Sequence, residues 1–266
     1  MKQGITAHMI VKNEDQWIWY SIQSVLPFVD QMIITDTGSS DKTISIIKSI
    51  NSPKIRFFED FARNRRDVTN VRQNQIDQTK TNWIWIVDGD EIYPKLVAQE
   101  ILGELKDSKW SAVVVRRLDL LGDIYHSQFE HVGSYNMFGQ RGHLLIRLLN
   151  QDKLPNLTVR GDYPLESYYS HDICVNDLSP SDVYISKGAL YHTMYLKRSS
   201  LGSNLNMFNR GKYKIEMGRP VSTKYPEIFD TTPKDLYLHP LKKRSFGYVL
   251  AASLITPIKK LKRKFL

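Results

Sequence analysis

The sequence predicts an α/β fold with a mostly parallel sheet flanked by helices, and three observations predict it. Apolar runs of strand length, rich in Val, Ile and Trp, recur through residues 1–95 with helix-compatible stretches between them. Two of these runs stop abruptly in polar turns, "TDTGSSD" at 35–41 and "DGDE" at 88–91. No apolar run is long enough to span a bilayer, since "FGYVLAASLITPI" at 246–258 is the longest and carries polar breaks.

The elements follow in chain order. "GITAHMIVK" (4–12) reads as a first strand. "DQWIWYSIQSVLPF" (15–28) has helical apolar spacing, with Asp15 placed to cap its first turn. "VDQMIITDTGSSDKT" (29–43) is a second strand running into a Gly/Ser-rich turn, and Asp41 is expected to N-cap the helix that follows. "KIRFFED" is a third strand, "DVTNVRQNQIDQTKT" a polar helix, and "WIWIVD" (83–88) the next strand. Beyond residue 95 the pattern loosens into a helix at 96–108 and strands at 110–121 and 142–150. Residues 122–143, rich in Gly, His, Tyr and Asn, suit a mobile loop facing a ligand. "KGALYHTMYLKRSS" (187–200) is a strand before a basic turn or helix, and the Pro-rich stretch 218–235 reads as a surface connection. One domain over 1–217, followed by a connection and an amphipathic basic helical tail over 218–266, is the simplest organisation.

Composition narrows the class. An apolar share of 41% fits a folded globular chain, and the single cysteine, Cys174, allows no internal disulfide, which favours a reducing compartment. The opening residues lack a cationic start followed by a long apolar stretch, so the expected location is cytoplasmic. The net charge of +9 is almost wholly the work of residues 240–266, which hold eight Lys and Arg and no acidic residue. Basic residues confined to one end argue against a nucleic-acid face, and leave two readings of the tail: peripheral contact with an anionic inner membrane surface, or a helix packed on the domain with a solvated lysine end.

In open sheets with parallel strands, ligands sit beyond the carboxyl ends of the strands. Both polar turns are expected there, so one ligand can touch both. Asp88 and Asp90, two apart with a glycine between them, can turn toward one point where the strand gives way. Hard cations such as Mg²⁺ or Mn²⁺ take oxygen ligands and complete their shell with phosphate oxygens and water. A solvated acidic turn is the bland alternative.

These residues carry a resemblance. "MIVKNEDQWIWYSIQSVLPFVDQMIITDTGSSDKT" followed by "VRQNQIDQTKTNWIWIVDGDE" resembles the nucleotide-sugar half of family 2 glycosyltransferases of GT-A fold. The likeness covers residues 5–95 well and 140–200 more weakly, which divides the domain into a nucleotide-sugar half (about 1–95) and an acceptor half (about 96–217). It implies a Rossmann-like sheet, a nucleotide-sugar donor with uridine the first candidate base, a divalent metal and a glycan or lipid-linked acceptor. It also implies site residues. Asn13 and Glu14 of "KNE" and Asp36 of "DTGSSD" fall on the donor, with Asp36 toward base or ribose. Arg72 and Asn74 match an Arg/Asn pair whose guanidinium reaches diphosphate or base. Asp88 and Asp90 match the DxD pair, Asp90 being the direct metal ligand. His192 completes the metal shell or touches diphosphate, and Lys197 or Arg198 holds phosphate.

The acceptor hydroxyl must lose a proton on the opposite face of the sugar, which calls for a carboxylate. Relatives of this pattern carry a late glutamate after an "RL" strand, here Arg147–Leu148, and Glu166 in "RGDYPLESYY" is the match. A histidine precedes that glutamate in many of them, whereas this chain has Leu165. Asp162 is the rival base, and apolar neighbours are expected around Glu166 to tune it. Two other readings compete: a sugar-phosphate nucleotidyltransferase, whose Gly-rich basic loop after the first strand is absent here, and a non-catalytic membrane-binding module.

Overall fold

The computed structural model describes residues 1–106, 109–196, 214–231, 233 and 239–265. Its centre is a sheet of eight strands: β1 (Lys2–Val11), β2 (Gln31–Asp36), β3 (Ile55–Glu59), β4 (Thr81–Ile86), β5 (Glu91–Ile92), β6 (Ala112–Asp119), β7 (Leu144–Asn150) and β8 (Val183–His192). They lie side by side in the order β3-β2-β1-β4-β7-β6-β8-β5. Pairings β3–β2, β2–β1, β1–β4 and β6–β8 are parallel, β7 runs antiparallel to both its neighbours, and β5 antiparallel to β8. The mostly parallel sheet expected from the sequence is therefore what the chain forms. Helices α1 (Ile18–Val25), α2 (Thr43–Ser49), α3 (Arg65–Asp77) and α4 (Lys95–Leu105) accompany it, and α5 (Phe246–Lys262) closes the described chain.

Strand β4 shows why the sequence folds this way. All of "TNWIWI" is buried, as a strand covered on both faces requires. Successive side chains alternate between faces: Trp83 and Trp85 pack into one core cluster, and Ile84 and Ile86 into another. The polar helix α3 still holds its place. Asn64 caps it by accepting the Asp67 amide at 3.0 Å, while the Asp67 carboxylate accepts the Asn64 amide at 3.2 Å. Its buried Gln75 amide donates to the Met9 carbonyl at 2.9 Å, tying the helix to β1.

Three local expectations change. Asp15 does not cap α1; Trp17 stands at that position without a side-chain cap, and Asp15 accepts a hydrogen bond from Gln16 at 2.7 Å. Lys42, not Asp41, occupies the N-cap of α2, although Asp41 accepts the Thr43 amide at 2.9 Å and braces the turn one residue early. The Pro-rich stretch does more than connect, because Phe229 is buried against Trp17 and Tyr20. Pro257 lies inside α5, which continues to Lys262: proline removes one hydrogen bond, and that does not end this helix. Among the described residues no helix is long and apolar enough to cross a membrane.

Candidate functional site

Strand order decides what meets. β1 lies between β2 and β4, so the turns after all three strands share one end of the sheet. Asn13, with φ +56°, takes the left-handed conformation that Asn tolerates. From there its amide donates to Ser39 Oγ at 2.8 Å and its side-chain oxygen accepts the Ser40 amide at 2.8 Å. "KNE" and "DTGSSD" are thus one hydrogen-bonded unit. Asp36 is buried and folds its own turn, accepting the amides of Gly38 (2.9 Å) and Ser39 (2.7 Å) on one oxygen and Ser39 Oγ (2.5 Å) on the other. The Glu14 amide donates to Thr43 Oγ1 at 2.8 Å, which anchors the start of α2.

The acidic turn after β4 is packed as tightly. A Cβ at Gly89 would lie 3.2 Å from Val11, 3.3 Å from Glu14 and 3.4 Å from Ile18, so the position between the two aspartates has room for glycine and little more. Asp88 is half-buried between two guanidiniums. Arg147 Nη2 donates to one of its oxygens at 2.7 Å, and Arg72 Nη2 stands 3.8 Å from the other. The same Arg147 nitrogen donates to Glu91, which is fully buried. Burial pushes the two acids up, but at Asp88 the guanidiniums of Arg147 and Arg72 prevail and hold it at about 2. At Glu91 burial prevails over Arg147, and the carboxyl stands near 7.

A second set forms where β6 and β8 end beside the start of β5. The register pairs His192 with Asp119 on one side and with Glu91 on the other. His192 Nδ1 lies 2.7 Å from Asp119 Oδ1, and its Nε2 lies 3.4 Å from Asp90 Oδ2. Burial alone would depress this imidazole; the carboxylates of Asp90 and Asp119 outweigh it and raise the pKa to about 10. Asp119 is buried too, yet its hydrogen bond to His192 and the charges around it hold it at about 2. Arg117 Nε lies 3.0 Å from the same carboxylate.

Between these sets opens a cleft of about 320 Å³, lined among others by Arg72, Asp88, Arg147, Glu166, Tyr168 and His192. Glu166 reaches it from a small sheet of residues Leu157–Arg160, Ser167–Ser170 and Ile173–Cys174. That sheet is stapled to α3, since Thr69 Oγ1 donates to the Gly161 carbonyl at 2.8 Å and the Val159 amide to Gln73 at 2.9 Å. Arg72 Nε consequently donates to Glu166 Oε1 at 2.8 Å. The surroundings of Glu166 are therefore not the apolar ones expected; an ion pair fixes it. Among the described residues, three buried atoms of the cleft's lining residues make no hydrogen bond: Arg147 Nε, Glu166 Oε2 and Arg117 Nε, the last of which stands beside Asp119.

The remaining candidates fall elsewhere. Asp162 is exposed and lies 3.6 Å from Arg66, away from the cleft lining. Asn74 is on the exposed side of α3, so Arg72 faces the cleft without it. Lys197 and Arg198 lie outside the described residues. Sequence reasoning assigned no role to Glu91, Asp119 or Arg147. Asp119 had a signal, as it ends "AVVVRRLD" in the way Asp88 ends "WIWIVD".

As a cation site the corner offers a pair of donors rather than a closed shell. Among the described residues no three His, Cys, Asp or Glu side chains are arranged to hold a metal. Asp90 and His192 converge at 3.4 Å, whereas Asp88 is engaged by arginine. One or two protein ligands suffice for an ion that completes its shell with diphosphate oxygens and water, so the pair fits such a group. An ion there displaces the proton that this environment favours on the imidazole.

Residues 6–156 match the sequence profile described as Glycosyl transferase family 2. A similar curated protein is the SPbeta prophage-derived glycosyltransferase SunS of Bacillus subtilis (strain 168), 30% identical over 91 residues. That match covers 34% of this chain and 21% of the relative, so the chain spans about a fifth of the relative's length. Among solved structures, S. aureus TarS 1–349 is 12% identical, with 73% of this chain and 61% of that chain covered at a TM-score of 0.47. Glucosyl-3-phosphoglycerate synthase from Mycobacterium tuberculosis, solved with Mg²⁺ and UDP, is 15% identical, with 72% of each chain covered at a TM-score of 0.47.

Proposed function

The chain belongs to glycosyl transferase family 2, and on that premise we propose that it is an inverting, divalent-cation-dependent enzyme moving a sugar from a UDP-sugar to a hydroxyl of a glycan or lipid-linked acceptor. Family membership sets aside the nucleotidyltransferase and the non-catalytic module. The observation that carries the reading is that two of the cleft's orphaned atoms are a buried donor, Arg147 Nε, and a buried acceptor, Glu166 Oε2; the third, Arg117 Nε, already stands 3.0 Å from Asp119. A buried polar group without a partner calls for an explanation, and a bound ligand is one. Diphosphate oxygens suit the guanidinium, and a hydroxyl suits the carboxylate.

In the reaction the acceptor oxygen bonds to the anomeric carbon from the face opposite the diphosphate. The bond from that carbon to the diphosphate oxygen breaks, and its electron pair leaves with the diphosphate. Glu166 Oε2 takes the hydroxyl proton, while the Arg72 bond at Oε1 keeps the carboxylate oriented. Arg72 and Arg147 set fixed positive charge beside the leaving group. Asp90 and His192 are the residues that hold the cation, which supplies further charge to the diphosphate without proton transfer. Asp119 orients His192 through Nδ1, as outer-shell carboxylates do for ligating imidazoles. Asp36 and Asn13 shape the turn that receives the nucleoside.

Replacement of Glu166 by Gln retains an acceptor for Arg72 and removes the base. Transfer to the acceptor should fall by about a hundred- to ten-thousandfold. UDP binding by calorimetry should stay near that of the parent, and Asp162→Asn should leave both unchanged. Full transfer activity in Glu166→Gln excludes it as the base.

A further inference from the structure

Helix α5 carries an apolar face that nothing in the described chain covers. Phe246, Leu250, Leu254, Ile258, Leu261 and Phe265 recur at three- and four-residue steps and are between 53 and 82% exposed. The opposite face is fixed to the domain. Ala252 and Thr256 are buried, and the Thr256 hydroxyl accepts the Met217 amide at 2.8 Å. Arg263 grips Glu216 with two hydrogen bonds of 2.9 and 2.6 Å, and Lys259 Nζ adds a contact at 3.6 Å. The helix is thus held on the domain with its apolar stripe turned outward.

Charge surrounds the stripe in an ordered way. With about 100° per residue, Lys262 falls about 80° to one side of Leu254 and Lys260 about 120° to the other, while Lys259 and the C-cap Arg263 fall on the side of Glu216. Lys260, Lys262 and Lys264 are exposed, as are Lys242 and Lys243 in the run-in. Residues 240–266 hold no acidic side chain, and Glu216, which faces α5, is already bonded by Arg263. An apolar strip edged by lysines complements the surface of an anionic bilayer: acyl chains meet the stripe and lipid phosphates meet the ammonium groups.

We propose that α5 is a docking surface for an anionic lipid bilayer, lying in its interfacial plane rather than crossing it. α5 packs on the segment that follows β6, with Tyr248 against Gly122 and Lys260 over Phe129, and the same segment contributes Tyr135 and Met137 to the cleft. The inference goes beyond the proposed chemistry and stands apart from it, since vesicle binding requires neither donor nor base.

Flotation of the full chain with phosphatidylcholine vesicles, and with phosphatidylcholine–phosphatidylglycerol vesicles, tests it. The chain should float with the mixed vesicles and not with phosphatidylcholine alone, and added salt should weaken the binding. Neutralising Lys262 or Lys264 to Gln should weaken it about fivefold per residue. The triple variant Leu250→Ser, Leu254→Ser, Ile258→Ser should lose it while keeping the parent's melting transition, because all three side chains are exposed. Failure of the parent to bind mixed vesicles overturns the proposal, as does undiminished binding by the triple variant. A parent dimer that the triple variant converts to monomer, with no vesicle binding, assigns the stripe to a second copy instead.

Discussion

The two sides of the cleft neutralise buried carboxylates by different means. On one side Asp88, Glu91 and Glu166 are held by Arg147 and Arg72. On the other, Asp90 and Asp119 enclose His192, with Arg117 at the rim. A guanidinium keeps its proton at any working pH and presents a fixed fork, so the arginine side is a permanent cradle for an anion. An imidazole can exchange its proton for a metal ion, so the histidine side is the replaceable one. The DxD turn stands across this divide, giving Asp88 to the arginines and Asp90 to the histidine.

The largest expected effect breaks the arginine side. Arg147→Ala leaves the fully buried Glu91 without its cation, and removal of one partner from a buried pair costs about 3–5 kcal/mol. Thermal or urea unfolding should register the loss, and adding Glu91→Gln to the same chain should recover part of it. An unchanged transition in the single variant means that these charges are not coupled in the fold. Asp90→Asn acts on the other side. It should destabilise the fold less than Arg147→Ala, because His192 keeps Asp119 and can shed its proton, yet lower transfer by about a hundredfold, with weakened manganese dependence of UDP binding. Equal damage to stability from both variants would erase the contrast.

His8 sharpens it, being a buried imidazole without carboxylates. Its Nε2 lies 2.6 Å from Thr79 Oγ1, and burial, helped by Arg72, lowers its pKa to about 3. Below the ordinary histidine range the unfolded chain binds a proton that the folded chain refuses. Stability linked to His8 is therefore complete above pH 6.5 and is lost as pH falls toward 3. The loss amounts to about 2 kcal/mol between pH 7 and pH 5. His8→Gln should flatten the stability–pH curve by that amount over this window. Parallel curves for variant and parent rule the assignment out.

What the sequence disclosed follows the same physics. Local signals were legible: alternation in "WIWIVD", the polar turns at strand ends, and the order "KNE", "DTGSSD", "DGDE", whose turns gather at one end of the sheet. Pairings between distant segments were not. Arg147 belongs to the site because antiparallel β7 sets Leu148 opposite Trp85, two residues before the end of the β4 run at Val87. Asp119 reaches His192 only through the β6–β8 register. Asp15, read as a cap from position alone, lost that role because the helix starts later, after Trp17. Asn74 shares a motif with Arg72 but sits two residues along a helix, where side chains diverge. The apolar setting imagined for Glu166 gave way to Arg72, a partner 94 positions away.

The division of labour across the cleft is tested most directly by crystals soaked with UDP and Mn²⁺ and measured for the manganese anomalous signal. A peak is expected within coordination distance of both Asp90 and His192, with diphosphate oxygens completing the shell and the guanidiniums of Arg72 and Arg147 on the phosphates. Manganese bound away from both residues, or UDP seated with its diphosphate remote from that corner, contradicts it.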